Sequence, residues 1–157
     1  MPACPYPNFT QVSRDDVRDL LAYLRTVPAV AQANRAHELR GVYGTQAALA
    51  GWRALYFRPG TPPADRGAYL VSGLGHCSAC HGQRNAWGAT DGPLDVRGGV
   101  VTEQSWFAPA LDDARQAGVA EWSQADVVAL LKSGRNPHAT VSGPMATVVA
   151  GGTQHLA

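Results

Sequence analysis

No run of apolar residues in this 157-residue sequence approaches the roughly 18 that a membrane-spanning helix needs, so the chain contains no span of its own. Charge of one sign is missing too. Thirteen Lys and Arg stand against twelve Asp and Glu, interspersed, for a formal charge of +1. That balance provides neither a basic stripe for nucleic acid nor a polybasic anchor for anionic lipid. Cysteine is scarce: three residues, two of them in one short motif and Cys4 left over, which excludes a disulfide framework and predicts a free thiol at Cys4. The opening residues, Met1-Pro-Ala-Cys-Pro-Tyr-Pro, lack the charged segment and apolar run of a secretion signal.

Glycine and proline are plentiful, at 17 and 11 residues, and point to short helices joined by long loops. The strongest helix signal covers residues 13–27, where Val17, Leu20, Leu21 and Leu24 recur at helical spacing between Arg14, Asp15, Arg18 and Asp19. Ser13 stands as its cap, with Asp16 three residues on and Pro28 just past the end. A second helix is expected over 45–57, before the breaker run Arg58-Pro-Gly-Thr-Pro-Pro. A third runs over 64–76 on Ala68, Tyr69, Leu70 and Leu74, and leads straight into Cys77. Residues 82–121 read as a loop that wraps a large rigid object. A fourth helix follows over 123–132, stopped by Gly134, and the remainder reads as mostly loop with a turn or two of helix after Met145. Ser13-x-x-Asp16-Val17-x-x-Leu20-Leu21 is echoed by Ser123-x-x-Asp126-Val127-x-x-Leu130-Leu131, which shared helix grammar explains without a true repeat.

The chemistry lies in Cys77-Ser78-Ala79-Cys80-His81. Two thiols at this spacing can add to the two vinyl groups of a haem, and the next residue supplies an imidazole to the iron. Zinc would need a second ligand cluster, and no second Cys-x-x-Cys exists. A thioredoxin-like pair would need a βαβ setting, whereas this motif follows a helix and precedes a glycine-rich stretch. The expected cofactor is therefore one covalent haem c. Haem attachment in bacteria is completed outside the cytoplasm, so a removed signal or further upstream sequence is expected.

Met1 and Met145 are the available thioethers. The Gly143-Pro144-Met145 setting argues for a loop in which packing poorly explains an exposed thioether, and Met145 is the expected distal ligand, with His138 as its rival. Thioether ligation raises the potential and fills the site, which suits electron transfer. His76 is expected to point away from the iron, and His37 and His155 read as solvent-facing or linker residues. Pro109, in Trp106-Phe-Ala-Pro-Ala-Leu111, is placed to offer its carbonyl to the second nitrogen of His81. Trp52, Trp87, Trp106 and Trp122 read as packing groups, one of which could donate to a haem propionate.

Beyond the motif, the chain resembles the multihaem cytochrome c subunits of membrane-bound bacterial alcohol, sorbitol and gluconate dehydrogenases. The resemblance rests on Arg66-Gly67-x-Tyr69-Leu70-Val71-x-x-Leu74-Gly75-His76-Cys77, on Cys80-His81 with Arg84-Asn85, and on Trp106-x-x-Pro109-x-Leu111. It continues through Gly134-Arg135-Asn136, Met145-Ala146 and His155-Leu156. It implies a periplasmic module, at the outer face of the inner membrane, that is not an enzyme by itself. Such a module passes electrons from a quinoprotein or flavoprotein catalytic subunit towards quinone or a downstream cytochrome or oxidase. By position it gives Cys77 and Cys80 the haem thioethers, and His81 and Met145 the axial bonds. Members of the family carry three haem domains; this chain has one motif, and its start and end look like a slice through two domains, with Met1 where a preceding domain's ligand would stand.

The expected fold is all-α, a small class I-like cytochrome c domain over 64–157, preceded by a helical leading segment over 1–63. The 13–27 stripe is expected to pack on the 64–76 helix, within one chain or in a helix-swapped dimer. Two other functions fit the motif: a haem sensor or gas-binding protein with an open distal site, and a free soluble electron shuttle.

Overall fold

The computed structural model describes residues 5–36, 41–101 and 104–156. Met1, Cys4 and His37, singled out above, lie outside the described residues. Helices dominate: α1 (Tyr6–Phe9), α2 (Arg14–Leu24), α3 (Gln46–Tyr56), α4 (Arg66–Tyr69), α5 (Ser78–His81), α6 (Gln124–Ser133) and α7 (Gly143–Gly151), with one hairpin of β1 (Gly99–Val101) and β2 (Trp106–Ala108). The chain forms two compact units. One comprises residues up to 79 with 84–94, the other residues 80–83 with 95–157, so the division falls inside the Cys-x-x-Cys-His motif.

Short polar side chains start most of the longer helices. Ser13 Oγ accepts the Asp16 amide at 3.1 Å, Thr45 Oγ1 that of Ala48 at 3.2 Å, and Asp65 Oδ1 that of Ala68 at 2.7 Å. The helix expected over 64–76 changes character midway: α4 passes into a π turn, Leu70–Leu74, closed by the Gly75 amide on the Leu70 carbonyl at 2.7 Å. His76 then takes a positive φ of 38°, and the Cys77 amide bonds back to the Val71 carbonyl at 3.1 Å.

In the first unit Asn8 is the pin. Buried on α1, its amide nitrogen donates to the Ser72 carbonyl and to Ser78 Oγ, each at 2.9 Å, joining the leading segment to the π turn and the motif. Tyr69 Oη accepts the Ser13 amide at 3.1 Å and donates to Asp16 Oδ2. The leading segment thus meets residues 66–78 through α1 and the first turn of α2. Within the single chain the apolar stripe is not what docks: Val17, Leu20, Leu21 and Leu24 are 42 to 59% exposed.

In the second unit a short hairpin interrupts the loop expected over 82–121 and makes the chain mostly helical, not all-α. It pairs Gly99 with Ala108, Val100 with Phe107 and Val101 with Trp106. Gly99 has no alternative residue, because a Cβ there would stand 2.1 Å from the Gly82 carbonyl. α6 ends on Gly134 in the left-handed conformation. The loop after it is organised by Asn136, whose Nδ2 donates to the Asp126 carbonyl at 3.0 Å while its Oδ1 accepts the amides of His138 and Ala139. α7 begins two residues before Met145, so that residue sits in a helical first turn and not in a loop. Proline tolerates this position because first-turn amides have no intrahelical acceptor.

Candidate haem attachment site

Both units have thin interiors. Among the described residues, Tyr69 and Ala89 are the buried apolar residues of the first, and Ala108, Ala110 and Val149 those of the second, and the largest fully buried side chains are serines, Ser72 and Ser78. A chain of this length ordinarily buries far more apolar side chain than that.

Cys77 directly precedes α5 and Cys80 lies in it, so one helical turn carries both thiols and His81; all three are half-buried. In the first unit Ser78 is fixed by Asn8, and the Arg84 guanidinium donates to the carbonyls of Ala79 and, at 3.1 Å, Gly88. Asn85 closes that stretch, its Oδ1 accepting the amides of Trp87 and Ala89. In the second unit the His81 carbonyl accepts the Gly98 amide at 2.7 Å.

His81 Nδ1 lies 2.8 Å from the carbonyl oxygen of Pro109. A carbonyl can only accept, so Nδ1 carries the proton of this contact, which in the neutral ring leaves the Nε2 lone pair for a metal, the tautomer a metal-bound imidazole needs. Pro109 follows β2 directly, and the hairpin register therefore sets the ring's orientation. The donor set and the shallow interior both fit a covalent haem: two thiols on one turn, an imidazole with its Nε2 available, and little side-chain core in competition.

Met145 is half-buried in the first turn of α7, in the same unit as His81 and Pro109. His138 is engaged elsewhere. Its ring stacks on Trp122 with centroids 5.1 Å apart, and Nε2 lies 3.4 Å from Asp126 Oδ2. His76 meets Phe9 edge-on, and His155 Nε2 lies 3.1 Å from the Ala150 carbonyl. Of the tryptophans, Trp52 donates its N–H to the Trp87 carbonyl at 2.9 Å, so that N–H serves the protein and not a propionate.

Two carboxylates shape the second unit. Burial pushes the Asp95 carboxyl up, but hydrogen bonds from the Arg97 side chain and amide, with the Gln83 amide at 3.0 Å, outweigh it and leave the acid below its ordinary value. That pair anchors the chain just after the motif to the approach of β1. Asp126 is held low first by the Ser123 hydroxyl, which donates at 2.6 Å, and further by His138.

No family model matches the chain. Over 98% of its length it is 38% identical to the cytochrome c subunit of a quinone alcohol dehydrogenase of Gluconobacter oxydans (strain 621H), and over 99% it is 36% identical to the gluconate 2-dehydrogenase cytochrome c subunit of Pantoea cypripedii. The chain is a homologue of bacterial dehydrogenase cytochrome c subunits. A diheme cytochrome c-type protein of Cereibacter sphaeroides is 34% identical over 98% of the chain. The chain spans 35%, 39% and 53% of the lengths of these three relatives.

Several residues that brace the motif or the second unit leave little mark in the local sequence. Asn8 sits in a proline-rich stretch with no periodicity. Gly98-Gly99 carried a usable signal, since adjacent glycines before a Val-Val pair suit a strand that must approach another backbone closely. Asn136 lies in Gly134-Arg135-Asn136, letters that carry no sign of the loop it organises.

Proposed function

We propose that this chain passes single electrons through one covalent haem c, as the cytochrome module of a periplasmic dehydrogenase complex, and that it holds no catalytic site of its own. The observation that carries the reading is the hydrogen bond between the Pro109 carbonyl and Nδ1 of His81, the residue that follows Cys80 in the motif. When bound, the haem supplies an iron that takes up and releases one electron. Cys77 and Cys80 tether it through thioethers. His81 Nε2 is the proximal ligand, kept basic and oriented by Pro109. Met145 Sδ is the distal ligand, and the engagement of His138 with Trp122 and Asp126 supports that choice.

The haem domain is residues 64–157, of class I cytochrome type, and 1–63 is a leading segment that braces the motif through Asn8. The electron donor is a quinoprotein or flavoprotein catalytic subunit and the acceptor quinone or a further cytochrome, at the outer face of the inner membrane. No helix among the described residues is long and apolar enough to cross a membrane. The identity of the relatives as dehydrogenase cytochrome subunits does not favour a gas sensor.

An optical potentiometric titration tests the reading. A single reversible one-electron wave, with a low-spin ferric spectrum bearing the weak far-red band of thioether ligation, is expected. A high-spin ferric spectrum that binds carbon monoxide on reduction contradicts it.

A further inference from the structure

The Ser123 side chain caps α6, but the residue before α7, Ser142, makes no side-chain cap at all. Something else must locate the first turn of α7, and the structure shows what touches it. Gly143, the first residue of the helix, has a φ of +52°, and a Cβ built there would lie 2.6 to 2.7 Å from three atoms of the Trp106 indole, Cζ2, Cε2 and Cη2. The ring occupies the space where a side chain at 143 would stand. Pro144 then fixes φ at the next residue, so little freedom separates Gly143 from Met145.

Trp106 is itself held. It pairs with Val101 in the hairpin and stands three residues before Pro109, whose carbonyl orients His81. One stretch of four residues, 106–109, therefore touches the proximal imidazole at one end and the start of the Met145 turn at the other.

We propose that Trp106 is a positioning residue for Met145: its indole sets where α7 begins, and through Gly143 and Pro144 it holds the thioether at the iron. The inference rests on Met145 being the distal ligand. A sulfur–iron bond in a protein is kept by its placement, and a first turn free to shift by an ångström yields the iron to an added ligand. Trp106 is half exposed, so trimming it opens no sealed core cavity and the haem domain is expected to assemble.

The test uses the full haem-bearing chain in four variants, read by the ferric far-red band, imidazole titration and reduction potential. Met145→Ala is the reference for full loss of the ligand. Trp106→Ala is expected to weaken the band, lower the potential and tighten imidazole binding about tenfold, the effect of roughly 1.4 kcal/mol. Trp106→Phe keeps an aromatic face against Gly143 and restores most of the parent behaviour. Gly143→Ala puts a methyl into the ring's place at a backbone angle alanine disfavours, and moves all three readouts in the direction of Trp106→Ala. That variant carries the test by itself if Trp106→Ala accumulates without haem. Parent-like band, affinity and potential in both Trp106→Ala and Gly143→Ala, while Met145→Ala alters them, overturn the positioning role and leave Met145 as ligand. An unaltered Met145→Ala removes the ligand and the proposal together.

Discussion

α2 and α6 begin with the same letters, Ser-x-x-Asp-Val-x-x-Leu-Leu, and the same geometry. Ser13 and Ser123 have φ, ψ of −66°, 153° and −67°, 152°, and each accepts the amide of its Asp at 3.1 Å. Their apolar faces then part company. Val127, Leu130 and Leu131 of α6 are half-buried in a unit where α7 and the turn Thr153–His155 pack on that helix, with Thr153 Oγ1 donating to the Leu131 carbonyl at 2.6 Å. Val17, Leu20, Leu21 and Leu24 of α2 stand mostly in the open. The acids differ as well: Asp16 takes the Tyr69 hydroxyl, Asp126 takes the hydroxyl of its own cap and His138. A capping sequence is sufficient to start a helix, and what the helix does afterwards depends on which neighbours reach its apolar side.

The comparison can be broken most sharply at the leucines. Leu131→Ala is expected to cost about 1 to 2 kcal/mol, since a half-buried leucine forfeits part of the roughly 1.5–3 kcal/mol of full burial. Thermal unfolding of the haem-bearing protein measures it, and an unchanged midpoint would show α6 to be as unsupported as α2. The caps come next. Ser123→Ala and Ser13→Ala should each cost about 1 kcal/mol, with Ser13→Gly losing only a few tenths. A much larger loss at Ser13 would show that the Tyr69 and Asp16 contact, and not the cap, secures the leading segment.

Acid should separate the helices further. A carboxyl lowered in the folded state lends stability that is complete above its unfolded value near about 4 and fades as pH falls through the lower folded value. Asp126 is such a group, so the unfolding midpoint should drop on acidification below about pH 4, and Asp126→Asn should flatten that part of the curve. The smallest effect belongs to Leu21→Ala on α2, within about 0.5 kcal/mol of the parent because the side chain already meets water. A loss of several kcal/mol there would mean that the stripe is covered in solution.

Helices with a cap and a periodic face are legible in the sequence: α2 and α3 fall within the spans read from Ser13 and Thr45, and α6 runs one residue past the span read from Ser123. The misses have local reasons. α1 has four residues, too few for any period. The strands have three residues each and carry no alternation, so their glycines read as loop. In α7, Gly143-Pro144 read as a breaker although both suit a helix start, and Thr147-Val148-Val149 weakens the helical signal. The π turn leaves no mark in residues whose apolar spacing is ordinary. At the site, Cys77, Cys80 and His81 were plain from their spacing, and Pro109 was marked out by its place after Trp106-Phe-Ala. Asn8 and Gly99 act through contacts distant in sequence, which no local pattern records, whereas Asn136 ties its own loop back to α6.

The measurement closest to the central claim is the mass of the intact polypeptide, expressed with a haem-ligation system and analysed under denaturing conditions. The account predicts the chain plus one covalently retained haem, lost in Cys77→Ala/Cys80→Ala. A bare polypeptide mass, with all haem released by acid extraction, would contradict it.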